Sequence, residues 1–543
     1  MTHYYKFNFL VLNIMKFFVL KRKFLVVLLA ILVLAGFLRF YNLGEKSFSA
    51  DEFLGVNTAY GYLKTGEWRR WDFNLEKPLA DNAYFKTFFD FDIWGDGPDT
   101  YTRAWIYNWQ VAQSLRFLPD GETWSYRVIS VLWGIFSVLV IYWVAFKFTK
   151  NKTIGVIAAL LLALSIDGIE FSRKMRMYAM FMSVFLIFSY VAFNFFESKI
   201  KSKWSSINKL NEKTKLNFIF LVPVILLGLL SMHLHLLAAN FVFIGLIYFL
   251  AMGVITYRKT KNFKNHYLFY FLVAVATGII VNLKGNALLS SLSWENHFSY
   301  FEKSFADYGN ILVAGALLIL GAYYLIKDST HEGVFILINY GFILLGAMFL
   351  WNRNAGEQYI FFAKPFQVIL MAVGIWVAAN FFKNNLKKYN QKVYLVAIIF
   401  LIVAVINWGY FSARENTYVQ TSSSPNPNYR DVFSFIMSKR APGDILVTRN
   451  FRNFYWQGAQ IKVVSLGGER AEESEKKIEL EKLMEIVNKN NSGWIVYSDN
   501  DAIFLSKEAQ DYIDKNLEKI NNLKVRGPIS VYYWNNVKPV SRD

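Results

Sequence analysis

Apolar runs of about 20 residues, the length a bilayer crossing needs, recur along this chain between short polar and basic stretches. Eleven such runs predict transmembrane helices near 24–40, 128–146, 154–171, 177–195, 217–232, 236–256, 267–284, 310–326, 333–351, 359–381 and 393–411. Two regions break the pattern. Residues 41–125 form a long loop rich in Asp, Trp and Tyr, and from about 412 short strand-like and helix-like segments alternate. Asp444–Thr448, Gln460–Ser465, Gly493–Ser498 and Ile529–Trp534 read as strands. Val432–Lys439, Ala471–Lys489 and Ser506–Ile520 read as helices. That order predicts a small α/β domain with a mainly parallel sheet, set off by the polar, Pro-containing stretch Ser422–Asn428. Gly467–Gly468 follows a strand and reads as a turn more readily than as an anion-binding nest.

The predicted fold class is therefore a polytopic α-helical membrane protein of about 11 transmembrane helices with a C-terminal extracytoplasmic α/β domain. Its divisions are an N-terminal segment 1–23, a membrane part 24–411 with the long first outer loop 41–125, and the domain 412–543. Within the first segment, Phe7–Leu20 is apolar but carries Asn13 and Lys16 and lacks a small-residue cleavage site. It reads as an interfacial helix rather than a signal peptide.

Charge placement orients the spans. With Lys21, Arg22 and Lys23 cytoplasmic, alternation puts most basic clusters on the same side. These include Lys147–Lys152, Lys199–Lys215, Arg258–Lys264 and Lys383–Lys392, as the positive-inside bias requires. The N-terminus is then cytoplasmic and the C-terminal domain lies outside a plasma membrane. The formal net charge of +19 is explained by these loops, so no nucleic-acid partner is expected. The chain has no Cys, which removes disulfides and thiolate chemistry. It also shows no internal repeat, which weighs against many transporter folds.

Candidate chemistry collects on the expected outer side. Asp51 and Glu52 stand just past the first span. An acid beside low-dielectric surface gains basicity by desolvation and can act as a general base; a helix cap from Ser49 or Asp51 explains the same residues. Lys77, Arg103 and Arg127 follow, each equally suited to snorkelling at the interface. Asp167, Glu170, Arg173 and Arg176 recur every three residues, so one helix would carry them as a charged stripe. The stripe is either an ion-pair network or a seat for an anionic headgroup, for which Arg is well suited. His233 and His235 close the fifth span as a His-x-His pair, able to chelate a metal or to hydrogen-bond a substrate. Arg353 and Tyr359 flank the entry to the tenth span. Acids and cations gathered at one membrane face suggest chemistry on a lipid with an anionic headgroup.

The stretches RFYNLGEKSFSADE (39–52), EKPL (76–79), YRVISVLWG (126–134), LLALSIDGIEFSRKMRMYAM (161–180) and YIFFAKP (359–365) occur in this order. Together they resemble the GT-C membrane glycosyltransferases, in particular the family 39 protein O-mannosyltransferase-like group and the lipid A aminoarabinose transferases. NYRDVFSFIMSKRAPGDILVT (428–448) is similar to the external domain of bacterial members. The resemblance implies a polyprenyl-phosphate-linked sugar as donor, transfer outside the cytoplasm and inversion at the anomeric carbon. It implies Asp51 and its neighbour Glu52 as the catalytic acids. It also implies Lys77 and Arg127 as donor-side cations and puts Arg173 and Arg176 in the group's third-span basic string; with Arg103, Tyr178, His233, His235, Arg353 and Tyr359 they make up the candidate donor-phosphate and substrate set. The chain departs from the group in having Glu76-Lys77-Pro78 where many members have His-Pro-Pro, and Gln358-Tyr359 where many have Arg-Tyr. Metal use in the group is mixed, so no metal ligand is assigned and a divalent ion stays open.

The expected function is an integral membrane glycosyltransferase acting on an acceptor protein, lipid or glycan. The alternatives are a transporter or flippase of lipid-linked sugars, and a non-catalytic envelope assembly protein.

Overall fold

The computed structural model describes residues 24–78, 104–283, 294, 296–351, 356–385, 390–419, 427–466, 477–521 and 529–536. The predicted interfacial helix Phe7–Leu20, the Gly467–Gly468 turn, Arg103 and Arg353 lie outside them. The chain divides into two compact units. One comprises Met1–Phe40, Ser130–Arg173 and Met177–Ser412; the other comprises Tyr41–Ile129, Lys174–Arg176 and Ala413–Asp543.

The first unit is helical. Among the described residues, six helices are long and apolar enough to cross a membrane: Thr123–Thr149, Tyr178–Glu197, Leu236–Thr260, Ile311–Asp328, Thr330–Phe349 and Phe361–Asn385. Two bent pairs raise the number to at most eight. They are Lys152–Ala163 with Ile166–Ser172, bent by 61°, and Ser205–Thr214 with Phe218–Leu234, bent by 109°. The remaining expected spans fall on shorter apolar helices, Phe24–Phe40, His266–Ala276 and Gln391–Val405. The second of these belongs to the helix His266–Leu283, 18 residues long. Among the described residues, length and composition thus give six to eight helices able to cross a membrane, with three shorter apolar helices at other expected spans.

Two features set the geometry of this unit. The first is the break between Lys152–Ala163 and Ile166–Ser172, which frees backbone polar groups that an apolar setting cannot leave unsatisfied. Ser165 caps the second helix, its Oγ accepting the Gly168 N–H at 2.9 Å and donating to Asp307 Oδ2 at 2.5 Å. The second is a close helix crossing. A Cβ on Gly321 would lie 1.8 Å from the Leu370 carbonyl oxygen, and one on Gly374 would lie 1.9 Å from that of Leu317. Only glycine lets Ile311–Asp328 and Lys364–Asn385 approach so closely, which is how apolar helices gain packing where no hydrophobic drive exists between them.

The second unit joins the loop after the first predicted span to the C-terminal segment. Its sheet has the order β4-β3-β5-β7-β6, where β3 is Ile445–Thr448, β4 Lys462–Ser465, β5 Ser492–Ser498, β6 Glu518–Lys519 and β7 Ile529–Asn535. A two-stranded ladder in the outer loop, β1 (Trp71–Asp72) and β2 (Lys77–Pro78), stands apart from it. The four expected strands are all present, but the sheet is mixed rather than mainly parallel. β3 pairs parallel with β4 and β5, whereas β7 pairs antiparallel with β5 and β6. The reason is the short β6 after the helix Lys507–Asn516, which returns the chain in the opposite sense. Leu483, Ile495, Ile513 and Trp534 pack in the core of the sheet.

The loop docks on this segment through side-chain amide, backbone and aromatic contacts. Asn74 exchanges two hydrogen bonds with Ile461, at 2.8 and 3.0 Å. Gly458 donates its N–H to Phe73 O at 2.9 Å. Phe48 and Phe53 enter an aromatic cluster with Phe451, Phe454 and Tyr455.

Candidate active site

Asp51 and Glu52 open the helix Ala50–Thr65, which is capped by Ser49 in extended conformation. Glu52 sits three residues past the cap and turns back on it, accepting the Ser49 N–H at 2.9 Å, as in a capping box. Its carboxylate also accepts Arg127 Nε at 2.8 Å and the Met175 N–H at 2.7 Å. Arg127 Nη2 donates to Glu52 Oε2 as well, at 3.1 Å, and Nη1 and Nη2 also reach the carbonyls of Leu43, Lys46 and Ser47. Both side chains are buried, 2% and 3% exposed. Burial alone would push the Glu52 carboxyl up, but the Arg127 charge and the converging hydrogen bonds hold it below its usual value. Glu52 and Arg127, expected as catalytic acid and phosphate ligand, are therefore joined to each other. They knit residues 43–52 to the head of the helix Thr123–Thr149 and to Met175.

Asp51 is the acid left exposed. Arg176 Nη1 donates to its backbone carbonyl at 3.3 Å. Among the described residues no protein donor engages the Asp51 carboxylate. The expectation of desolvation thus falls on the neighbour, because position N3 of the helix points back at the cap while Asp51 does not. The Glu52 network fixes the backbone on both sides of Asp51.

The three-residue stripe does not form. The helix Ile166–Ser172 stops before Arg173, and Tyr178 starts a new one. Asp167 instead pairs with Lys364 at 3.0 Å, and Glu170 accepts the Tyr410 hydroxyl at 2.9 Å. Buried Arg173 donates to the Arg39 carbonyl at 2.9 Å, within the helical unit. Only Arg176 accompanies Asp51.

The remaining candidates lie on other elements. Lys77 is exposed in β2. His233 lies in the last turn of Leu221–Leu234, and His235 is extended beyond it. His235 Nδ1 caps the next short helix by accepting the Leu237 N–H at 3.2 Å, and its ring stacks on Phe181 at 5.3 Å. Tyr178 is buried against Phe171 and His235. Tyr359 is half-buried in a short 3-10 turn, Glu357–Tyr359. Among the described residues no group of three or more His, Asp or Glu is placed to hold a metal ion.

Sequence reading passed over one cluster. Lys364 Nζ lies between Asp167 Oδ2 at 3.0 Å and Asp307 Oδ2 at 3.2 Å, all buried, with the Ser304 carbonyl at 3.0 Å. A lysine inside the apolar run YIFFAKPFQVILM is a signal in itself, because a charge at that depth needs a partner.

Comparison of the whole chain with solved structures gives matches over nearly its full length. The chain superposes on the crystal structure of ArnT from Cupriavidus metallidurans bound to undecaprenyl phosphate with a TM-score of 0.54 and 10% identity, covering 95% of this chain and 98% of that one. On the archaeal oligosaccharyltransferase AglB from Archaeoglobus fulgidus, in complex with an inhibitory peptide and a dolichol-phosphate, the TM-score is 0.58. Identity there is again 10%, with 92% of this chain and 73% of the other covered.

The chain has the GT-C fold.

No protein-family model matches the sequence, and no curated protein matches it. The likeness is thus one of fold rather than of sequence.

Proposed function

We propose that this protein is an integral membrane glycosyltransferase that moves a sugar from a polyprenyl-phosphate-linked donor to an acceptor outside the cytoplasm, with inversion. The observation that carries the reading is the setting of Asp51: an exposed carboxylate at a helix start, its backbone locked by the buried Glu52–Arg127 pair and by Arg176. The GT-C fold supports it, since the ArnT and AglB structures hold undecaprenyl phosphate and a dolichol-phosphate.

In the reaction, Asp51 accepts the proton of the acceptor nucleophile as that group attacks the anomeric carbon. The bond to the lipid phosphate breaks through an oxocarbenium-like state, and the phosphate leaves with the bonding pair. Cations in reach of the departing group stabilise its charge. Arg176 and Lys77 serve best, with Arg103, Arg353, Tyr178, Tyr359, His233 and His235 as further substrate contacts. Arg127 and Arg173 act by positioning. In this reading residues 24–411 supply the chemistry and 412–543 support it; the acceptor is a protein, a lipid or a glycan. No step is routed through a metal.

The test is transfer from a polyprenyl-phosphate sugar by the full-length protein and by Asp51→Asn, alongside mass spectrometry of envelope glycans with and without the protein. Loss of a general base lowers the rate by about 10² to 10⁴-fold, with donor binding and folding retained. Unchanged transfer in Asp51→Asn removes Asp51 as the base. Unchanged glycans under expressing conditions remove the transferase reading and leave transport or assembly.

A further inference from the structure

The helical unit holds a cavity of about 810 Å³ at the end that carries its lysine clusters. Lys147, Lys150, Lys199, Lys201 and Lys215 all line it. They come from separate places in the chain: the end of Thr123–Thr149, the segment after Tyr178–Glu197, and the cap of Ser205–Thr214. A positive-inside bias puts lysines on this side of a membrane, but it does not require that five of them face one hollow.

The floor of the cavity is built. Glu197 accepts the Tyr248 hydroxyl at 2.7 Å and the Tyr267 hydroxyl at 3.0 Å, and pairs with His331 Nδ1 at 2.9 Å. A carboxylate already met by three donors opposes a second anion far less than a bare one. Glu212 and Glu332 also line the space, so the lysines remain in excess.

A second hollow of about 770 Å³ shares two walls with the first, Lys215 and His266. Its other walls include Phe263, Leu268, Phe269 and Leu272. Phe263, Phe269 and Leu272 are 69%, 60% and 63% exposed, on a helix of the membrane unit and the turn before it. Tyr270 fixes this helix to the lysine-bearing segment through its hydroxyl and the Thr214 carbonyl, 2.7 Å apart. A polybasic pocket therefore continues into an apolar groove. An ion alone would use only the first half; an amphiphile with an anionic head uses both.

We propose that these joined hollows bind an anionic phospholipid of the lysine-rich leaflet, with its phosphate among the five lysines and an acyl chain along Phe263, Phe269 and Leu272. Basic pockets between membrane helices recognise anionic headgroups by the same physics. The site lies wholly within the helical unit and is independent of Asp51 and of any transfer reaction.

The test uses the full-length protein, delipidated in a neutral detergent, mixed with phosphatidylglycerol or phosphatidylcholine and analysed by native mass spectrometry. Phosphatidylglycerol is retained over phosphatidylcholine by about tenfold or more, and the Lys147→Gln/Lys199→Gln/Lys201→Gln variant loses that preference. Lys199 and Lys201 are exposed, so Lys199→Gln/Lys201→Gln keeps the measurement decisive if the triple variant does not fold. Equal retention of the two lipids, or a preference that survives the substitutions, overturns the proposal. Displacement of phosphatidylglycerol by millimolar inorganic phosphate would show a free-anion site and overturn the assignment to a lipid. Asp51→Asn leaves the lipid preference unchanged.

Discussion

The hydroxyl of Tyr455 accepts the backbone N–H of Phe48 at 2.7 Å, three residues before Asp51. Burial pushes this phenol up to about 12, so it stays neutral at physiological pH. The C-terminal segment thus reaches the loop that presents the exposed acid. Tyr455→Phe keeps the ring among Phe48, Phe53 and Phe454 but leaves the Phe48 N–H without its acceptor. We expect a loss of about 1 kcal/mol in stability and slower transfer at unchanged donor affinity, read by thermal unfolding and by kcat against KM.

Glu52 and Arg127 make a pair whose separate removal is costly. Arg127→Met leaves a buried carboxylate uncompensated, and about 3–5 kcal/mol of stability is lost. Asp51→Asn, at an exposed position, loses activity with stability within about 0.5 kcal/mol. Melting temperatures of the two variants, measured side by side, separate the structural acid from the chemical one.

The same pair gives stability a pH dependence. The folded-state value of Glu52 is depressed from 4.5, so its contribution is fully present above that pH and is lost as pH falls through the lower folded value. Asp501, held down from 3.8 by the Arg452 guanidinium despite burial that would raise it, adds in the same direction. Acid unfolding of the full-length protein should steepen below pH 4.5. The slope should flatten in Glu52→Gln; an unchanged slope would assign the acid sensitivity elsewhere.

Lys364 is the only cation in contact with the carboxylates of Asp167 and Asp307 among the described residues. Lys364→Met forces two buried acids to share the space unaided, at a cost of about 3–5 kcal/mol. Lys364→Met/Asp307→Asn recovers part of the loss. A melting series in detergent checks both, and additivity of the two substitutions would refute the contact.

Gly374 and Gly321 bring two helices together at backbone distance. Gly374→Leu inserts a side chain where the Leu317 carbonyl stands, and we expect about 1–3 kcal/mol of destabilisation from overpacking. The midpoint of unfolding in detergent reads it directly.

Local signals carried the reading of the sequence a long way. The apolar runs mark the membrane helices because bilayer length and composition are local properties, and a helix cap at Ser49 or Asp51 is legible for the same reason; that Glu52 closes a capping box on Ser49 is seen only in the structure. The strands β3, β4, β5 and β7 are legible as β-branched and aromatic segments. Their pairing is not, since parallel or antiparallel sense depends on how the chain returns. Glu52 with Arg127, 75 positions apart, and Asp167 with Asp307, 140 apart, leave no mark on either neighbourhood. A charged stripe at three-residue spacing misled because it assumed an unbroken helix, and Ser165 and Arg173 instead bracket a short one. Lys364 was visible as a charge in an apolar run, but only the fold names its partners.

The bond from Phe48 to Tyr455 closes 407 positions of chain, and that from Asn74 to Ile461 closes 387. During synthesis the loop bearing Asp51 emerges early and must wait, without its aromatic partners, until nearly four hundred further residues have been made and inserted. The Phe48 and Asn74 contacts therefore form late, when the partners of the Glu52–Arg127 pair have long been made. In a nascent chain the membrane helices are made while Phe48 and Asn74 still lack these partners.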